Sequence, residues 1–159
     1  EPNEGDVLQR KPRSPRERIF NQLMIERTAI AAVLMGVIGF LTFRWFVPAG
    51  ASDAEVASAR NALLLLMVLF ENIHIGNCRS ETKSALRFSP LRSPILLAGV
   101  IGAFVVHLAA MYTPIGQTML ETEPVALKNW GILFLLALPI FPVMELHKWT
   151  WSIRHPEHA

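Results

Sequence analysis

The chain has 159 residues, of which 52% are hydrophobic and only 18% are charged. This apolar fraction exceeds that of an ordinary soluble domain, so a soluble enzyme and a disordered chain are both disfavoured. The single cysteine, Cys78, excludes an internal disulfide. The formal net charge of +2 gives no indication of a nucleic-acid partner.

The apolar residues are gathered into four stretches, each long enough to cross a bilayer. A spanning helix needs about 20 residues, and lipid offers no hydrogen bonds to an unfolded backbone. The sequence therefore predicts an all-α membrane bundle with four transmembrane helices, at about 28–47, 58–78, 93–113 and 127–147. Pro139 and Pro142 should bend or loosen the fourth span. The alternative is four buried helices of a large soluble bundle, although soluble helices normally keep a polar face.

Basic residues are distributed unevenly between the connecting segments. Twelve of the 15 lysines and arginines precede the first span, separate the second from the third, or follow the fourth. By the positive-inside rule, this bias predicts that both termini and the central loop are cytoplasmic. The expected organisation is a cytoplasmic linker over 1–27, a transmembrane domain over 28–149 and a cytoplasmic tail over 150–159.

Glu71 is the only charged residue between Arg60 and Arg79. At about 1.5 Å per residue, it lies roughly 12 Å from the Arg79 end of its helix, near the bilayer centre. An ionisable group at that depth is costly unless it is neutral, paired or bound to a cation. Helical spacing places His74 on the same stripe, and both side chains are expected to face the bundle. A cation ligand or relay is the functional interpretation; a protonated glutamate bonded to a neighbouring helix is the alternative.

One carboxylate cannot form a complete cation site, because calcium takes about 6–8 oxygen ligands and magnesium six. Glu145, near the end of the fourth span, is the only other carboxylate within the predicted spans. His74 could modulate the charge of Glu71, and Asn77 could add an amide oxygen, although helix packing is the first expectation for Asn77. The missing ligands indicate that the chain is a fragment or one subunit.

Small residues in the first span predict a close helix contact. Ala32 and Gly36 form a small-xxx-small pair, and Gly39 adds a nearby notch. This face should receive another helix, either from outside the chain or from the other three spans. In the fourth span, Glu145 and Lys148 have the i, i+3 spacing of an ion pair.

Three groups of residues resemble the C-terminal membrane portion of type II P-type cation-transporting ATPases. Just after its sixth transmembrane helix, that family typically shows E-P-x-E-x-D-h-M-x-R-P-P-R-x-P, where h is apolar. Residues 1–15 read EPNEGDVLQRKPRSP, which departs from the pattern at Leu8 and Lys11. Residues 70–81 resemble the end of the eighth helix, and residues 138–148 resemble the tenth.

The resemblance implies that the four spans are helices seven to ten of a calcium-pump-like ATPase. It implies that a glutamate at the Glu71 position gives an oxygen to one ion site, whose other ligands come mainly from helices four, five and six. It also implies that the Ala32, Gly36 and Gly39 face packs on the long fifth helix, and that Glu145 contacts cytoplasmic loops. Calcium is the favoured cation, while sodium, potassium or protons are carried by related pumps.

The sequence contains neither the family's phosphorylated D-K-T-G-T motif nor a G-x-x-x-x-G-K-[ST] loop. We therefore expect no ATP hydrolysis by the chain alone, no catalytic residue and no bound cofactor, with ATP and magnesium used only by domains outside it. The expected partners are the missing helices and cytoplasmic domains of the same pump and the lipid of the plasma membrane, with no nucleic acid. The alternative is a self-contained four-helix membrane protein, such as a small carrier or accessory subunit.

Overall fold

The computed structural model describes residues 20–156, which form an all-α structure with four helical spans. The first three spans are single helices: α1, Gln22–Phe46; α2, Asp53–Asn77; and α3, Pro94–Tyr112. The fourth span consists of two consecutive helices, α5, Leu127–Ala137, and α6, Ile140–Arg154. All four spans are long and apolar enough to cross a membrane, as the sequence predicted. A short helix, α4, Pro114–Leu120, follows α3 and was not predicted.

Side-chain caps set two helix starts that apolar composition alone does not indicate. The Asn21 Oδ1 accepts a hydrogen bond from Met24 N at 2.8 Å, so α1 begins six residues before the expected span. Ser52 and Glu55 form a reciprocal capping box, so α2 begins at Asp53 rather than near residue 58. Both helices therefore extend beyond the purely apolar stretches, because helical hydrogen bonding does not stop where polar residues begin.

The fourth span is interrupted at Leu138 and Pro139, which confirms the predicted loosening. Proline has no N–H, so Pro139 and Pro142 each remove a helical hydrogen bond. The Leu138 carbonyl instead accepts from Phe141 N at 3.0 Å, the tighter i to i+3 pattern. The span therefore divides into α5 and α6.

Helix α2 is at the centre of the packing, since it contacts α1, α5, α6 and, less extensively, α3. Its buried face contributes Leu65, Leu66 and Phe70 to the core, which Leu133 and Met144 complete from the fourth span. Helix α3 is peripheral, and Met111 is its one buried residue. The fold thus covers one face of α2 and leaves most of α3 uncovered.

Candidate functional site

Glu71 lies on the side of α2 that faces away from the core, unlike the buried Asn61 and Asn77 of the same helix. Glu71 and Cys78 are exposed and His74 is half-buried, whereas the adjacent Phe70 is fully buried. The expectation that Glu71 faces the interior of the bundle is wrong for these four spans. Leu69 and Phe70 are both buried, and successive helical positions differ by about 100°, so Glu71 lies about 150° from the centre of the buried face.

The Glu71 carboxylate lies within a membrane-spanning helix, and no described residue stabilises it. It is six residues before the end of α2, about 9 Å along the helix axis. Within residues 20–156 it makes no hydrogen bond and no ion pair. An ionisable group at such a depth needs a partner, water or a bound cation. Glu71 is exposed, so none of the described residues of these four spans supplies such a partner.

His74 and Asn77 follow Glu71 on α2 but have different surroundings. Asn77 is fully buried, and its main-chain oxygen accepts a hydrogen bond from Arg27 Nη2 of α1 at 3.1 Å. Its side-chain amide has no hydrogen-bond partner in the described part of the chain, and neither has Nδ1 of His74. Asn77 thus lies against the start of α1 while Glu71 faces away from the core, so the two do not converge.

Over residues 20–156, no three side chains among His, Cys, Asp and Glu converge to form a metal centre. Glu145 does not approach Glu71 but faces the loop between α2 and α3, where its Oε1 accepts from Ala85 N at 2.9 Å. Among the described residues, Glu71 therefore belongs to no cluster of three or more such side chains. A calcium ion at Glu71 would take its remaining oxygens from outside these spans.

The small residues of α1 divide between two faces. Gly39 is buried against α2, and a Cβ there would lie 2.9 Å from Met67 Cε and 3.3 Å from Leu63 Cδ1. Ala32 and Gly36 are exposed, and a Cβ on Gly36 would have no heavy atom within 4 Å. Gly39 therefore allows close packing within the four spans, whereas Ala32 and Gly36 remain uncovered.

Charged residues from distant parts of the sequence join α1 to α6. Arg154 Nη2 donates to Glu26 Oε2 at 2.8 Å, and Nε2 of the buried His147 lies 3.3 Å from the same oxygen. The start of α1 and the end of α6 therefore lie at the same end of the bundle. This cluster was not predicted, because no local pattern in the sequence relates Glu26 to Arg154, which lies 128 positions later.

The loop between α2 and α3 is fixed by the expected Glu145–Lys148 pair. Lys148 is 2% exposed, and its Nζ lies 3.3 Å from Glu145 Oε1 and donates to the Lys83 carbonyl at 3.0 Å. Glu145 in turn accepts from Ala85 N. The sequence suggested an ion pair and, through the resemblance, a loop contact; the structure shows both together.

Taken with the apolar spans, this architecture defines an integral multi-pass membrane protein of the helical class. Residues 1–150 match the family described as cation transporting ATPase, C-terminus. The chain belongs to that family, which confirms the resemblance seen in the sequence. The N-terminal motif of that resemblance, residues 1–15, lies outside the described part of the structure.

The chain is also similar to parts of individual pumps. It is 29% identical over 140 residues to a "Probable cation-transporting ATPase F" of Mycobacterium tuberculosis, covering 88% of this chain and 15% of the relative. It is 29% identical over 139 residues to a "Calcium-transporting ATPase" of Bacillus subtilis, covering 87% and 15%. It is 30% identical over 149 residues to mouse "Calcium-transporting ATPase type 2C member 2", covering 93% and 16%. The chain therefore spans about one sixth of the length of these relatives.

Proposed function

We propose that the chain acts within an ATP-driven cation pump as helices seven to ten, supporting the transport helices and contributing Glu71 to a cation site. The observation that carries this proposal is the outward Glu71, a carboxylate at membrane depth without a partner in residues 20–156. Its position on a face that the four spans leave uncovered favours a neighbour from the rest of the pump.

The proposed site is completed by side chains outside the chain, because a cation of this class needs about six oxygens or more. Calcium is favoured, since the relatives from Bacillus subtilis and mouse are named as calcium-transporting ATPases. His74, one turn from Glu71, is proposed to tune the charge of the carboxylate, and Asn77 to hold the end of α2 against α1. ATP and magnesium belong to the cytoplasmic domains of the pump, so the chain alone is not an enzyme.

The exposed Ala32 and Gly36 face is proposed as the contact for a helix of the missing part of the pump. Small residues let two helix backbones approach closely, and no described side chain fills the space beside Gly36. The basic bias of the loops supports cytoplasmic termini and a cytoplasmic central loop. The proposed location of the pump is the plasma membrane.

The experiment is to replace Glu71→Gln in the parent pump and to measure phosphorylation from ATP as a function of calcium concentration. Removing one charged ligand should raise the half-saturating concentration about tenfold or more, equivalent to about 1.4 kcal/mol. Glu81→Gln is the matched control, since Glu81 is an exposed carboxylate in the loop after α2. An unchanged calcium dependence in Glu71→Gln, with normal protein levels, would reject Glu71 as a ligand.

The reading frame upstream of Glu1 discriminates the pump from a self-contained four-helix protein. A phosphorylated-aspartate motif and six further spans in that frame are expected. A stop codon directly before this chain would instead favour a small carrier or accessory subunit.

A further inference from the structure

The loop between α2 and α3 contains a short sequence repeat with a structural counterpart. Residues 84–87 read Ser-Ala-Leu-Arg and residues 89–92 read Ser-Pro-Leu-Arg. Each begins with a serine that caps a 3-10 turn: Ser84 Oγ accepts from Leu86 N at 3.2 Å, and Ser89 Oγ accepts from Leu91 N at 3.3 Å. A third serine, Ser93, caps α3, and its Oγ accepts from Leu96 N at 3.4 Å.

Each capping serine is followed two residues later by an exposed apolar side chain. Leu86 is 80% exposed, Leu91 is 73% exposed and Ile95 is 88% exposed. An arginine follows each leucine directly: Arg87 is exposed, and the guanidinium of Arg92 lies 5.4 Å from the ring centroid of Phe88. The loop therefore presents large apolar tips next to cations.

The backbone of this loop is held in place while its apolar tips remain uncovered. The Lys83 carbonyl and the Ala85 amide are bonded to Lys148 and Glu145 of α6. Arg79 Nη1 donates to the carbonyls of Phe88 at 3.3 Å and Ser89 at 2.9 Å. These contacts fix the turns, so the exposure of Leu86 and Leu91 is a property of an ordered loop.

We propose that this loop, residues 83–95, is a membrane-interface anchor that binds anionic phospholipid. Leu86, Leu91 and Ile95 enter the layer between headgroups and acyl chains, and the Arg87 and Arg92 guanidinium groups bind lipid phosphate. Apolar side chains beside basic ones are the composition of segments that lie in this layer. Anionic lipid is the favoured ligand, because each basic residue near a charged leaflet strengthens binding.

Lipid is a better occupant than another protein because of where the loop lies. It connects two membrane spans, and Ile95 is in the first turn of α3, the span with the least buried surface. The 3-10 turn that carries Leu91 directly precedes α3 and contacts it, so Leu91 lies next to the uncovered apolar surface of α3 at its membrane-water end. This proposal depends on the membrane-spanning class alone and goes beyond the pump function.

The first test measures lipid binding by the parent pump in detergent, using native mass spectrometry with phosphatidylglycerol and with phosphatidylcholine. Arg87→Gln should weaken phosphatidylglycerol binding about fivefold and leave phosphatidylcholine binding unchanged. Arg60→Gln is the matched control, an exposed arginine near the other end of α2, and should change neither. Equal phosphatidylglycerol binding by Arg87→Gln and the unchanged pump would overturn the proposed phosphate contact.

The second test measures depth by spin labelling in a parent pump whose native cysteines, Cys78 included, are replaced by serine. Nitroxides at Leu86→Cys and Leu91→Cys, in bilayers containing phosphatidylglycerol, should be more accessible to oxygen than to a nickel chelate. A label at Glu81→Cys should show the opposite preference. Labels at 86 and 91 that favour the chelate, or that are shielded from both reagents by protein, would overturn the anchor. Either result would leave the Glu71 proposal unaffected.

Discussion

The two faces of α2 have opposite characters although they share one helix. The inward face carries Leu65, Leu66 and Phe70, which are fully buried among the other spans. The outward face carries Leu64 and Glu71, which are exposed. Helix α1 repeats the contrast, with Gly39 packed against α2 and Gly36 uncovered. The inward faces hold the four spans together, and the outward faces are available to lipid and to the proposed remainder of a pump.

Residues on the inward faces should affect stability, whereas residues on the outward faces should affect transport. Inside lipid, helix association depends on close packing, because lipid tails are as apolar as the side chains and exchanging lipid contact for protein contact gives no hydrophobic gain. Substitutions on the inward faces should therefore lower stability through lost contacts or clashes. Substitutions on the outward faces should leave the four spans folded and alter only functions that involve neighbours.

The largest expected effect is that of Phe70→Ala. Removing this fully buried ring leaves a cavity and should destabilise the membrane domain by about 3 kcal/mol or more. Thermal unfolding of the parent pump in detergent measures the change. Leu64→Ala, on the outward face of the same helix, should have little effect, so equal losses for the two variants would contradict the assigned faces.

Lys148→Met should have the next largest effect, destabilising by about 3 kcal/mol. The lysine is buried, and its loss leaves the Glu145 carboxylate and the Lys83 carbonyl without its ammonium group. Limited proteolysis of the loop between α2 and α3 should become faster. Lys128→Met, at an exposed lysine in the first turn of α5, is the control and should leave the cleavage rate unchanged.

Gly39→Leu and Gly36→Leu form a matched pair on α1. Leucine at position 39 would meet Met67 and Leu63, separating α1 from α2 at a cost of about 2 kcal/mol. Gly36 is exposed and a Cβ there has no heavy atom of the described chain within 4 Å, so the four spans should remain stable with leucine at this position. If a helix of the missing part packs there, Gly36→Leu should uncouple ATP hydrolysis from cation transport in the parent pump. Normal coupling in Gly36→Leu would reject that contact.

Several features of the fold could be predicted from the sequence because they depend on local composition. Lipid forces each apolar stretch to satisfy its own hydrogen bonds, so the number of spans followed from counting apolar residues. The break near Pro139 followed from the missing N–H of proline. The family was also recognisable, because motifs such as the run after Phe70 are contiguous in sequence.

Other features required the three-dimensional structure because they depend on how helices turn toward one another. Spacing placed Glu71 and His74 on one stripe but could not show that Glu71 is exposed while His74 is half-buried. For the same reason, the sequence could not show that Gly39 is buried against α2 while the nearby Gly36 is exposed.

The sequence by itself determined that the protein is a helical membrane protein with four spans. It also determined the proline break and the presence of a carboxylate at membrane depth. Hydrophobicity and hydrogen bonding along the chain are sufficient for these, since each is satisfied within one segment. Only the tertiary structure decided which face of α2 is covered, how Lys148 holds the central loop and how Glu26 meets Arg154. Such contacts depend on the packing of several spans at once, which no single segment encodes.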